Sequence, residues 1–73
     1  MASIGSRLNK LRTDKKLTFR QLGSLAGVDA GWINRLESGE RSNISLDAAI
    51  KLADAFRVSL DYLAGRDKRR YDA

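Results

Sequence analysis

The run from Leu17 to Arg41, LTFRQLGSLAGVDAGWINRLESGER, constrains the fold more than any other stretch, because it writes two short helices and the tight turn between them without a break. Leu17, Leu22, Leu25 and Val28 fall at spacings that put them along one side of a helix and its exit, and Ile33 and Leu36 form the inward stripe of the next helix. Gly27 stands where the first of these helices must stop and the chain reverse, a place that favours a residue able to take positive φ. Asp29 then restarts the helix as an N-cap. Two helices of this size cannot bury both stripes against each other, so further helices must cover them.

One local device recurs four times along the chain: an apolar residue, a polar N-cap, then an apolar residue five positions after the first. Leu17, Thr18 and Leu22 form the first instance, with Gln21 completing a capping box; Val28, Asp29 and Ile33 form the second; Ile44, Ser45 and Ala49 the third; Val58, Ser59 and Leu63 the fourth. Ahead of them Ile4, Leu8 and Leu11 recur at i, i+4 and i+7, which predicts a first helix over about residues 3–16. The fourth helix, Leu46 to Phe56, is expected to bury Leu46, Ala49, Ile50, Ala53 and Phe56 while Lys51 and Asp54 face water. A short fifth helix, Leu60 to Ala64, ends at Gly65. The remaining RDKRRYDA is charged and aperiodic, so residues 1–65 read as one domain and 66–73 as a basic, flexible tail. Five short helices with brief connections predict an all-α, compact orthogonal bundle.

At 73 residues the chain has room for a single small core. It contains no cysteine, histidine or proline, which removes disulfides, thiolate or imidazole metal sites and the usual nucleophile–base dyads. The carboxylates read as caps, ion-pair partners or solvated charges, so no enzyme, cofactor, metal or small-molecule ligand is expected. A net charge of +5 and a pI of about 10.1 suit a polyanionic partner without proving one. No apolar stretch approaches the ~20 residues of a membrane span, and the N-terminus lacks a signal-peptide core, so a cytoplasmic location is expected.

Leu17 and Thr18 opening one helix, the Gly27-Val28 turn, then Trp32, Ile33, Arg35, Glu37 and Gly39, together resemble the helix-turn-helix of the Cro and phage-repressor family, also called the xenobiotic-response-element type. The resemblance runs from about Ile4 to Gly65. It implies a lambda-repressor-like DNA-binding domain and a prokaryotic or phage transcriptional regulator, a repressor that binds double-stranded DNA at the nucleoid. Such a protein reads a pseudo-palindromic operator as a homodimer, with its third helix in the major groove.

With Asp29 as cap, the outer face of the third helix is Ala30, Gly31, Asn34, Arg35 and Ser38, and the resemblance assigns base reading to Ala30, Gly31, Asn34 and Arg35. Asn34 can offer a donor and an acceptor to adenine, and Arg35 a bidentate fork to guanine; the alternative for Arg35 is a phosphate. Small Ala30 and Gly31 allow either close approach of the helix or permissive reading of bases. Phosphate contacts are expected from Phe19, Arg20, Ser38, Arg41, Ser42 and Asn43, with Arg7 and Lys10 as further cations. Phe19 occupies a place where the family frequently has Gln, so its ring covers the groove edge or packs sideways while its backbone N–H serves phosphate. By the same resemblance Trp32 packs between the two motif helices, and Glu37 forms a partly buried ion pair with Arg12. The loop from Gly39 to Ser45 is one residue longer than the family pattern and lacks its proline, and Arg57 stands where many relatives close the fourth helix with Gly, which implies either a different C-terminal geometry or a left-handed non-glycine residue. Leu60, Tyr62 and Leu63 are expected at a dimer interface, the alternative being that they cap the core. The competing function is an antitoxin-like protein-interaction module, which Gly31 and Phe19 support best.

Overall fold

The computed structural model describes residues 3–66. Its helices are α1 (Ile4–Asp14), α2 (Phe19–Ala26), α3 (Ala30–Ser38), α4 (Leu46–Phe56) and α5 (Leu60–Ala64). Each begins where a short polar side chain in extended conformation accepts a hydrogen bond from the N–H three residues on. Ser3 accepts from Ser6, Thr18 from Gln21, Asp29 from Trp32, Ser45 from Ala48 and Ser59 from Tyr62, at 2.9–3.1 Å. At α2 the box closes, because the Gln21 side chain accepts from the Thr18 N–H at 2.8 Å. Gly27 ends α2 at φ 75°, and the Gly27 and Val28 N–H groups both donate to the Gly23 carbonyl, at 2.8 and 3.0 Å.

The helices contact one another in a ring, α1 on α3 and α5, α2 on α3 and α4, and α4 on α5, within a body of 29 × 22 × 22 Å. Leu8, Leu11, Leu22, Ile33, Leu36, Leu52, Ala53, Phe56 and Leu63 form the core. The leading apolar residues of the four staples, Leu17, Val28, Ile44 and Val58, are half-buried against it, which fixes the angle at which each helix enters. Two glycines make the close crossings. A side chain at Gly5 would strike the Leu36 carbonyl, and one at Gly23 would come within 2.6 Å of the Val28 carbonyl. Hence α1 lies directly on the end of α3, and α2 on the start of α3.

Packing overturns two expectations about which apolar residues turn inward. Leu25 is 59% exposed; α2 instead presents Phe19, Leu22 and Ala26 to the core. In α4, Leu46 and Ile50 are 69% and 40% exposed, while Leu52, absent from the expected inward set, is fully buried. The physical reason is a degenerate pattern. Residues 46, 49, 50 and 53 and residues 49, 52, 53 and 56 both satisfy the i, i+3, i+4, i+7 rule, so the sequence offers α4 two stripes. The partners α2 and α5 select the second.

Two non-glycine residues are left-handed, Lys16 at φ 57° between α1 and α2 and Arg57 at φ 58° closing α4. Arg57 keeps the geometry of the glycine it replaces, its N–H reaching the Ala53 and Asp54 carbonyls.

Candidate nucleic-acid interface

The orientation of α3 is set by its charged end. Glu37 turns inward near the C-terminus of α3, where it meets Arg12 of α1: Arg12 Nε donates to Glu37 Oε2 at 2.8 Å and Nη2 to Oε1 at 3.1 Å. The same guanidinium donates through Nη1 to the Leu17 carbonyl at 2.8 Å and lies over the Phe19 ring, 4.1 Å from its centre. Asn9 adds a fourth connection, donating to Glu37 Oε1 at 2.9 Å. One side chain of α1 therefore ties together the entry to α2 and the end of α3. The pair is nearly out of solvent, with side chains 14% and 5% exposed, and its hydrogen bond to Glu37 holds the Arg12 guanidinium above its ordinary pKa against the opposing effect of burial.

The stacking of Phe19 settles where that ring goes. It packs sideways on Arg12, one of the two placements expected for it; a half-buried aromatic has more to gain from a cation over its face than from the solvated edge of a groove. The N–H groups at the start of α2 remain available for an anion, since the capping box engages Thr18 and Gln21 only. The network itself was only half legible beforehand: Asn9 was not assigned, although it sits one helical turn before Arg12 and on the same face.

On the outer side of α3, Gly31, Asn34, Arg35 and Ser38 are exposed. Ala30 is half-buried: its backbone lies against Gly23 of α2, at the junction of the two helices. The Ser38 hydroxyl already donates to the Arg35 carbonyl at 3.0 Å and accepts from the Glu40 N–H at 3.4 Å, so it closes the helix. Arg41, Ser42 and Asn43 are exposed on the following loop, whose start is pinned by an Arg41 N–H bond to the Arg35 carbonyl at 3.1 Å. Trp32 is half-buried against the core and lines a cleft of about 610 Å³ with Val28, Arg41, Asn43, Ile44 and Ala48. Arg20 and Lys10 are exposed, whereas the Arg7 guanidinium lies against Gly65 at the end of α5.

The opposite side of the molecule differs. Leu60 is 37% exposed and Tyr62 half-buried, but Leu63 is fully buried beneath them and is withdrawn as an interface residue, because α5 turns it into the core between α1 and α4. Leu46 and Ile50, missed as surface residues, lie exposed on α4 instead. Among the described residues no group of three or more acids could hold a metal, and no helix is long and apolar enough to cross a membrane. The tail expected over 66–73 lies, after Arg66, outside the described residues.

Comparison with known proteins places this arrangement in a family. Residues 3–66 match the model of a helix-turn-helix domain. The HTH-type transcriptional repressor RghR of Bacillus subtilis (strain 168) is 37% identical over the whole chain, and the uncharacterized HTH-type transcriptional regulator RghRB of the same strain is 32% identical over 86% of it. The chain spans about half the length of these relatives, 56% and 45% respectively. No solved structure matches it. The chain belongs to the helix-turn-helix domain family, of the xenobiotic-response-element type.

Proposed function

We propose that this chain is a sequence-specific binder of duplex DNA that regulates transcription, as a repressor, in the cytoplasm at the nucleoid. The observation that carries the reading is the solitary outward face of α3, with Asn34 and Arg35 exposed on a helix whose far end is locked to α1 through Arg12 and Glu37. A rigid helix projecting a bidentate donor and an amide from one face has the chemistry to read major-groove edges. The part of the chain that carries it is cationic: residues 3–41 hold eight basic side chains against four acids. Phosphate contacts fall to Arg20, Arg41, Ser42, Asn43 and the N-terminus of α2. The name of the relative RghR, a transcriptional repressor, supports the sign of regulation.

The protein works as a homodimer in this reading, because one half-site of this size binds weakly and a pseudo-palindrome doubles it. The exposed apolar residues Leu46, Ile50 and Leu60, with Tyr62 at their edge, are the surface for the second copy. Beside them a groove of about 360 Å³ runs between α1, α4 and α5, lined by Ile4, Ile44, Leu46, Ala49 and Leu60. An apolar face of this kind on a charge-balanced half of the molecule is stabilised by covering it.

Selection of bound fragments from a random duplex pool tests the function, followed by salt titration on the selected site. The expected result is one enriched palindrome, lost in Arg35→Ala and Asn34→Ala, and an affinity that falls with salt by several log units per log unit for the dimer. Equal binding to every sequence would refute specific readout. No binding at any salt would hand the molecule to the protein-interaction reading, with Leu46, Ile50 and Leu60 as its contact.

A further inference from the structure

Gly31 stands one helical turn before Arg35 on the exposed face of α3, and two other side chains border the space its missing side chain leaves. A Cβ built there would lie 3.5 Å from Nη1 of Arg35 and 3.1 Å from Oδ2 of Asp29. Side chains on a helix lean toward its N-terminus, so a long one at i+4 naturally covers position i. With glycine at position 31 the Arg35 guanidinium settles close to the helix surface over the first turn. The Asp29 carboxylate, already fixed by its bond to the Trp32 N–H at 2.9 Å, faces it across the notch. That carboxylate offsets the unfavourable interaction of a cation with the positive end of the helix.

We infer that Gly31 is a specificity-determining residue: by leaving the notch open it sets the Arg35 guanidinium over the first turn of α3, where it reads a guanine that residue 31 would otherwise face. The inference rests on the DNA-reading function above and deepens it. The small residues at the start of α3 are then no sign of permissive reading. One long arginine serves the position that a side chain at 31 would serve, and glycine is what lets it reach. Gly31 acts through Arg35, so it is a positioning residue: a Cβ alone would only touch the guanidinium, and a longer side chain would displace it.

The test is base preference, position by position, for the wild-type chain, Arg35→Ala, Arg35→Lys, Gly31→Ala, Gly31→Leu and the double variant Gly31→Leu/Arg35→Ala. Wild type should prefer guanine at one position of each half-site by about tenfold or more. Arg35→Ala and Arg35→Lys should abolish that preference, lysine because a point charge cannot make the bidentate pair. Gly31→Leu should weaken it about as much as Arg35→Ala, Gly31→Ala by less, and neither should disturb preference elsewhere in the site. The double variant should read no worse than Arg35→Ala alone, a non-additivity that general destabilisation would not produce. Circular dichroism checks folding, and only side-chain atoms border the notch, so both Gly31 variants should keep their helices. A guanine preference that disappears in the Arg35 variants but survives Gly31→Leu overturns the inference and leaves specific DNA reading standing. A wild-type chain that selects no sequence overturns both.

Discussion

The two halves of this small bundle, α1 to α3 and α4 to α5, share one core and present opposite surfaces. Residues 3–41 carry eight cationic and four acidic side chains, whereas residues 42–66 carry three of each and expose Leu46, Ile50 and Leu60. The first half invests its charges in geometry: Arg12 alone joins the Leu17 carbonyl, the Phe19 ring and Glu37. The charges of the second half do less; Lys51 and Asp47 pair at 3.3 Å on an exposed helix flank, a contact of little energetic weight. In the function proposed above, the two halves face different partners. A polyanion calls for a stiff, cationic, well-oriented helix, and a second protein surface calls for uncovered aliphatic area without net charge.

The largest effect expected within α4 separates its buried stripe from its exposed one. Leu52→Ala should destabilise by about 3 kcal/mol, from lost transfer and a residual cavity, while Leu46→Ala should stay within about 0.5 kcal/mol. Chemical denaturation followed by the fluorescence of Trp32, the sole tryptophan, measures both at protein concentrations low enough to suppress association. Equal losses at the two positions would erase the assigned asymmetry of α4.

Next in size is the tie that belongs to the first half alone. Glu37→Ala should cost about 2–3 kcal/mol, because it leaves the Arg12 guanidinium nearly buried without its anion, and the double variant Arg12→Met/Glu37→Met should be less destabilised than that single change. DNA affinity should fall in both, since α3 loses its anchor to α1. Retained affinity in the double variant would show that packing alone orients α3.

The second half is probed by Leu46→Ser combined with Leu60→Ser. Sedimentation equilibrium should show the dimer's dissociation constant raised about tenfold or more, an effect of about 1.4 kcal/mol, with monomer stability little changed. Unchanged association would move the interface elsewhere.

The smallest effect is a gain. Arg57→Gly should raise stability by about 0.5–1 kcal/mol, and the melting temperature by a few degrees, because glycine takes the left-handed φ without Cβ strain. Binding to DNA should not change, as Arg57 is not among the residues assigned a DNA contact. A loss of affinity would give that cation a role on the nucleic-acid side and blur the division.

Much of this was legible in the residues themselves. The caps at Thr18, Asp29, Ser45 and Ser59 act locally, each on an N–H three positions away, and local chemistry leaves a mark in the sequence. The reversal at Gly27 belongs to the same class, whereas at Arg57 the sequence left two geometries open and the fold has the left-handed one. The site was read less completely. Asn34 and Arg35 follow from the spacing of α3, but the approach of Gly23, a residue of another helix, to the backbone of half-buried Ala30 does not. Leu63, Leu25 and Ile50 were misassigned for a related reason: periodicity offers a helix more than one plausible inner face and does not say which neighbour will press on it.

The sequence by itself determined where each helix starts, where α2, α4 and α5 stop, the sign of the charge and the pair Arg35 and Asn34 on one face of α3, because these depend on spacings of a few residues. Only the tertiary structure decided that α4 hides Leu52 and shows Leu46, that Phe19 stacks on Arg12, and that Arg35 lies over the empty place at Gly31. The first two depend on which helices meet, and meeting is governed by the close crossings at Gly5 and Gly23, where the absence of a side chain lets backbones touch. The third is local in sequence yet conformational, since spacing allows Arg35 to cover position 31 but only the folded side chain shows that it does.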